Sequence, residues 1–169
     1  MSTVPGIQQL ADIQMISIVK ARYVRFVDSR QWDSLASLLV HDFVFEGNRS
    51  RRGGPEFVRH VAEQLADAST VHQLHVPEIE VPSASAARAV WPFADLIDQR
   101  TDGVGLVRRG FGHYHETYVR REGTWRIATM RITRVRVECE THKPGASVTS
   151  HVCLSQEELV AWLAEARGR

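Results

Sequence analysis

The spacing of apolar residues changes period once along this chain, close to Thr70, and that change constrains the fold more than any motif. Before it, Ile13, Ile16, Val19, Tyr23, Phe26 and Val27 recur at helical intervals and predict a helix from about Ile7 to Asp28. Asp28-Ser29 reads as the cap of a second, short helix, Arg30 to Leu39, with Trp32, Leu35, Leu38 and Leu39 inward. Phe43-Val44-Phe45 reads as a short strand and Asn48 to Gly54 as a turn. Pro55 then opens a third helix that buries Phe57, Val58, Val61 and Leu65. After Thr70 the pattern is that of strands: Leu74 to Val81, Ala86 to Ile97, Leu106 to Arg121 and Thr124 to Glu138. Arg121-Glu122-Gly123 between the last two is a hairpin turn.

Helices followed by long antiparallel strands predict an α+β domain. A curved antiparallel or mixed β-sheet with N-terminal helices across its open side makes a cone that closes an internal pocket, where a ligand binds. Residues 1–139 make up this domain, and 140–169 a polar linker, with Pro144 and Gly145, and a final amphipathic helix. Ser155 and Glu158 form its capping box, Leu159, Trp162 and Leu163 its apolar stripe. The helix packs on its own domain or on a neighbouring subunit.

With 21 basic and 20 acidic side chains among 169 residues, the chain has no electrostatic reason to bind nucleic acid or an acidic membrane. Neither a spanning segment nor a secretion leader is visible, so a soluble, cytoplasmic protein is expected. Two cysteines make no disulfide scaffold. Cys139, His142, His151 and Cys153 have irregular spacing for a zinc module, and no metal is expected there. No Gly-rich phosphate loop appears, so no cofactor is expected.

Tyr23, Asp28 and His72 carry the chemistry. Singly, a packing tyrosine, a helix cap and a satisfied histidine would explain them. Together they are a proton-transfer set. An imidazole takes a proton at physiological pH, a carboxylate on its other nitrogen fixes the tautomer, and a phenol donates to an enolate oxygen or a departing hydroxyl. His113 and His115 share one strand face, interior or exterior. Arg134 is a carboxylate anchor or one of a solvent-facing arginine set with Arg136.

The chain resembles the SnoaL-like branch of the nuclear transport factor 2-like superfamily, and most closely its bile-acid dehydratases. The resemblance rests on Tyr23, Asp28, Trp32, Asp33 and Leu35 in the first frame and on His72, His75, Pro77, Glu78 and Ile79 in the second. Trp91 and Asp95, then Gly123, Trp125 and Arg134, complete it over about residues 10 to 138. Scytalone dehydratases look like more distant relatives, sharing Asp28, Trp32 and Thr70-x-His72. Two features depart from the pattern. Gly47 stands where those dehydratases have a second tyrosine, which also counts against a ketosteroid-isomerase mechanism. Pro92 interrupts the strand carrying Asp95, which implies an edge or a bulge.

The resemblance implies a cofactor-independent dehydratase acting on a hydroxylated, polycyclic or steroid-like carbonyl compound. Tyr23, Asp28 and His72 would be catalytic. Asp95, Arg134, Trp91, Phe93, His115 and Phe45 would bind the substrate, with Phe26 and Phe111 as further apolar wall. An isomerase, a cyclase or a non-catalytic binding or accessory protein of the same fold are the alternatives. A homo-oligomer is expected, a trimer before a dimer, because an open sheet face wants covering.

Overall fold

Helices dominate the N-terminal part of the chain and the long strands follow, as the change of period requires. The computed structural model describes residues 5–46, 50–101, 103–142, 150–154 and 158. In chain order the elements are α1 (Ile7–Asp28), α2 (Trp32–Ser37), β1 (Leu39–Glu46), β2 (Arg51–Arg52), α3 (Gly54–Gln64) and β3 (Ala68–Leu74). They continue with β4 (Glu78–Ser83), β5 (Ala86–Thr101), β6 (Val104–Arg121), β7 (Thr124–His142) and β8 (Ser150–Leu154). The fold is α+β, with a curved, unclosed sheet packed against the N-terminal helices.

Strands β5, β6 and β7 form the antiparallel centre of an eight-stranded sheet. The outer edge of β7 is shared by β1, which runs parallel to it and carries β2, and by antiparallel β8. The outer edge of β5 is shared by β3 and β4, one after the other. The sheet is therefore mixed. The β6–β7 hairpin turns at Glu122 and Gly123, both at positive φ, the conformation that matches the twist of two paired strands.

Four expectations change. Residues Leu74 to Val81 are not one strand: β3 ends at Leu74 opposite Phe93, and β4 begins at Glu78 opposite Val90. Pro77 supplies no N–H to continue the ladder, and Pro92 lies opposite the gap. The Pro92 carbonyl accepts the His75 N–H at 2.9 Å. An antiparallel residue points its N–H and C=O to the same side, so the missing Pro92 donor faces that gap. Pairing of β5 with β6 runs unbroken past it, without a bulge.

The second helix spans only Trp32–Ser37, and Asp28 is the last residue of α1 rather than a cap for α2. His72 lies within β3, not ahead of a strand. The expected linker begins as the end of β7 and finishes as the start of β8. Gly47, Asn48, Pro144, Gly145 and the C-terminal helix apart from Glu158 lie outside the described residues.

Helix α1 crosses the sheet interior and buries Ile16, Val19, Tyr23, Val24 and Val27 against Trp125, Ile127 and Met130. Alternation along β6 sends Tyr114, Glu116 and Tyr118 inward and His113, His115 and Thr117 outward. A fully buried ion pair joins the two layers inside this core: Lys20 Nζ lies 2.6 Å from Glu116 Oε1. The ammonium sits 3.3 Å from the Tyr114 ring centroid, and the Tyr118 hydroxyl donates to the second Glu116 oxygen. Burial lowers the Lys20 pKa to about 8, against the opposing pull of Glu116. Desolvating each ion costs several kcal/mol, which only such close and fully bonded partners offset. Among the described residues no helix is long and apolar enough to cross a membrane.

Candidate active site

The C-terminus of α1 builds the site. After Asp28 the chain leaves the helix through Ser29 and Arg30, with Arg30 at φ 59, a left-handed residue that ends the helix abruptly. The Arg30 guanidinium holds this turn against β3 by donating to the Ala68 carbonyl and, at 3.4 Å, to Thr70 Oγ1. Asp28 therefore faces β3. Its Oδ2 accepts the His72 backbone N–H at 2.8 Å. Its Oδ1 accepts the Thr70 hydroxyl at 2.9 Å and lies 2.7 Å from His72 Nδ1.

An ionised carboxylate has no proton to give, so His72 Nδ1 carries it and Nε2 is the basic nitrogen. Burial alone would raise the Asp28 pKa, but the side-chain and backbone bonds from His72, its charge and the Thr70 hydroxyl together hold it below the usual carboxylate value.

His72 forms part of the wall of a cavity of about 200 Å³. Tyr23, Asp95 and Arg134 share that wall with apolar side chains from β1, α3 and the sheet, among them Phe45, Phe57, Ile97 and Ile132. Tyr23 is buried with its ring edge-on to Tyr114, the centroids 6.3 Å apart. Burial, and next the charge of Glu116, push its phenol far above the ordinary tyrosine value, so it stays a proton donor. Strand register places His72, Asp95 and Gly110 side by side across β3, β5 and β6. Arg134 reaches over Gly110 to bond both Asp95 oxygens, at 2.9 and 2.7 Å, and its guanidinium lies 4.8 Å from the Phe93 ring centroid. A Cβ at Gly110 would occupy the space of Arg134 Nη1 and Asp95 Oδ1, so this pair requires glycine there.

Tyr23, His72, Asp95, Arg134 and Phe45 thus meet at one cavity, with Asp28 behind His72. Trp91 and Phe93 are buried, but neither lines the cavity: Trp91 Nε1 donates to the Tyr118 hydroxyl at 3.1 Å, and the Phe93 ring packs on Tyr114 with the centroids 4.3 Å apart. His115 is a correction: it lies on the opposite sheet face, 3.0 Å from Thr133 Oγ1, because the interior positions of β6 are the even-numbered ones. Phe111 is on that outer face too and is exposed. Sequence reasoning missed Tyr114, His60 and Gln64 as cavity wall. His60 and Gln64 continue the stripe begun by Phe57 at helical spacing, a signal that was available. Among the described residues no three potential ligands could hold a metal ion. Cys139 is buried and pairs with Val152 in the β7–β8 register; the side chains of His151 and Cys153 lie outside the described residues.

Comparison with known proteins agrees with this architecture. The probable cyclase FGR4 of Gibberella zeae is 26% identical over 129 residues, 69% of this chain and 86% of that protein. A provisionally assigned scytalone dehydratase from Novosphingobium aromaticivorans superposes with a TM-score of 0.68 at 16% identity, over 85% of this chain and 94% of its own. The hexachlorocyclohexane dehydrochlorinase LinA-type3 of Novosphingobium barchaimii gives 0.64 at 17% identity, over 89% and 94%. Residues 8–131 match the SnoaL-like domain. That span is most of the chain, which therefore belongs to the SnoaL-like domain family, with the nuclear transport factor 2-like fold.

Proposed function

We propose that this protein is a cofactor-independent hydro-lyase that removes water from a hydroxylated carbonyl compound. One observation carries the reading: the Asp28 carboxylate holds both the backbone and the ring of His72 at the wall of a largely apolar cavity that also bears Tyr23. His72 Nε2 takes the proton from the carbon next to the carbonyl, and Asp28 stabilises the imidazolium that forms. The Tyr23 hydroxyl donates to the carbonyl oxygen as negative charge develops there. The β-carbon–oxygen bond then breaks, and the imidazolium returns its proton to the departing hydroxyl, which leaves as water. Arg134, held by Asp95, positions the substrate from the same side as His72.

The cavity size bears on the substrate. About 200 Å³ is below the roughly 300–1,000 Å³ of pockets that enclose drug-sized ligands. One or two rings fill it; a steroid-like frame, which the family resemblance implies, would have to extend out of it. The likeness to a cyclase favours a second reading, in which the same enolate closes a ring instead of expelling hydroxide. A mass-spectrometric screen of hydroxylated bicyclic and steroid-like ketones, run with wild type and His72→Ala, separates the readings. A product lighter by one water, absent with the variant, is expected; a product of unchanged mass would make the protein a cyclase or isomerase, and no product at all would sink both.

A further inference from the structure

The three tyrosines of the chain are all buried, but their hydroxyls are not used alike. The Tyr118 hydroxyl is satisfied by the protein: it accepts the Trp91 Nε1 proton at 3.1 Å and donates to Glu116. Among the described residues the Tyr23 and Tyr114 hydroxyls have no hydrogen-bond partner. Neither is sealed in, because Arg108 Nε is the one fully enclosed side-chain polar atom among those residues that lacks a partner. Tyr23 and Tyr114 both line the cavity that His72 lines.

The packing of Tyr114 decides which part of its ring meets that cavity. Lys20 Nζ stands 3.3 Å from the Tyr114 ring centroid, and the Phe93 centroid lies 4.3 Å from it. An ammonium and a second ring that close cannot share one face, so both faces are covered and the rim with its hydroxyl is left. The same Nζ lies 4.3 Å from the Tyr23 centroid and is held by Glu116 at 2.6 Å. One fixed cation therefore attracts both rings and sets their places. Their centroids are 6.3 Å apart, with the planes inclined at 72°. An oxygen that accepts from both hydroxyls at ~2.7 Å needs them no more than roughly 5.4 Å apart, which rings so placed allow. Burial first, then the neighbouring Tyr23 and Asp95, push the Tyr114 phenol well above the ordinary tyrosine value, against the opposing pull of Arg134. It stays protonated and can only be satisfied by an acceptor within the cavity.

We propose that Tyr114 is a second donor to the carbonyl oxygen of the substrate, so that the enolate forms between the Tyr23 and Tyr114 hydroxyls. This rests on the reading of the cavity as the site of enolate formation. It adds a catalytic residue from β6 to the set supplied by α1 and β3.

The test is calorimetric binding of two bicyclic probes to the full chain at neutral pH: 4-hydroxycoumarin, an enolate under those conditions, and coumarin, which is neutral. Wild type should bind the enolate about tenfold or more tightly than coumarin. Tyr114→Phe should lower enolate affinity about tenfold and coumarin affinity much less, because the bond to a charged oxygen is the stronger one. The unliganded variant should melt no lower than wild type, since no hydrogen bond within the protein is lost. A lower melting temperature, or an equal loss of affinity for both probes, would overturn the role of Tyr114. So would unchanged enolate affinity in Tyr114→Phe alongside a loss in Tyr23→Phe, a result that leaves the function proposed above standing. Unchanged affinity in both variants, or no binding of either probe by wild type, would overturn the second donor and the enolate reading of the cavity together.

Discussion

The Asp28 carboxylate accepts hydrogen bonds from Thr70 and, twice, from His72. Its partners lie 42 and 44 residues away, whereas a capping Asp would bond within its own turn. The difference is measurable with Asp28→Asn. Asn is as good a cap as Asp, but it carries no charge and can offer an N–H to Nδ1, which turns the imidazole to the wrong tautomer. Turnover should fall about 10²- to 10⁴-fold, far more than the lowering of the urea midpoint at neutral pH, where the Asn variant lacks the charge-linked stabilisation, can account for. Acid stability supplies an independent readout. The Asp28 pKa is lower in the folded protein, so its stabilisation is present above the ordinary carboxylate value and fades as pH falls through the lowered one. Urea midpoints of the Asn variant should therefore decline less than those of wild type below about pH 4. Unchanged turnover would return Asp28 to a structural role.

Two glycines of β6 show how an element makes room for a site. At Gly110 a Cβ would meet the ends of the Arg134 and Asp95 side chains, and at Gly112 it would meet the Thr133 carbonyl of the neighbouring strand. Side-chain ends can move, although here the move parts an ion pair whose Asp95 member is almost fully buried. Backbone cannot move without disturbing β7, and Gly112 already sits at a register shift between β6 and β7. Gly110→Ala should cost about 1–3 kcal/mol and weaken substrate binding, while Gly112→Ala should cost more, about 3 kcal/mol or above. Urea unfolding of the two variants ranks them; the reverse order would mean that the bulge at Gly112 relaxes easily.

At the scale of the molecule, the three tyrosines of the chain, Tyr23, Tyr114 and Tyr118, are all buried in the core between α1 and the sheet. Burial is the leading cause that raises each phenol, with Glu116 a further cause in every case. A phenol whose folded pKa is above its unfolded value of about 10 stabilises the fold fully below that pH and loses this contribution as pH rises. The phenolate absorbance band should thus be absent through pH 10 and appear together with unfolding in a single cooperative step. Gradual phenolate growth in a protein that keeps its native circular dichroism would mean that this core is open to hydroxide.

Much of this was legible from residue order. A helix places side chains every 3.6 residues and a strand every two, so apolar spacing by itself determined α1, α3, the three long strands and the two faces of each. The combination of Tyr23, Asp28 and His72 was legible as a family pattern rather than as geometry. Alternation, however, names two faces without saying which one is covered. Only the packing of α1 across the sheet decided that Tyr114, Glu116 and Tyr118 go inside and that His115 and Phe111 do not. The break between β3 and β4 was equally hidden, because it depends on the segment after Leu74, which holds Pro77, falling opposite Pro92 of β5. So was the Lys20–Glu116 pair, formed by residues 96 positions apart that local spacing cannot bring together. Contacts between distant segments are set by how whole elements stack, and that arrangement belongs to the tertiary structure.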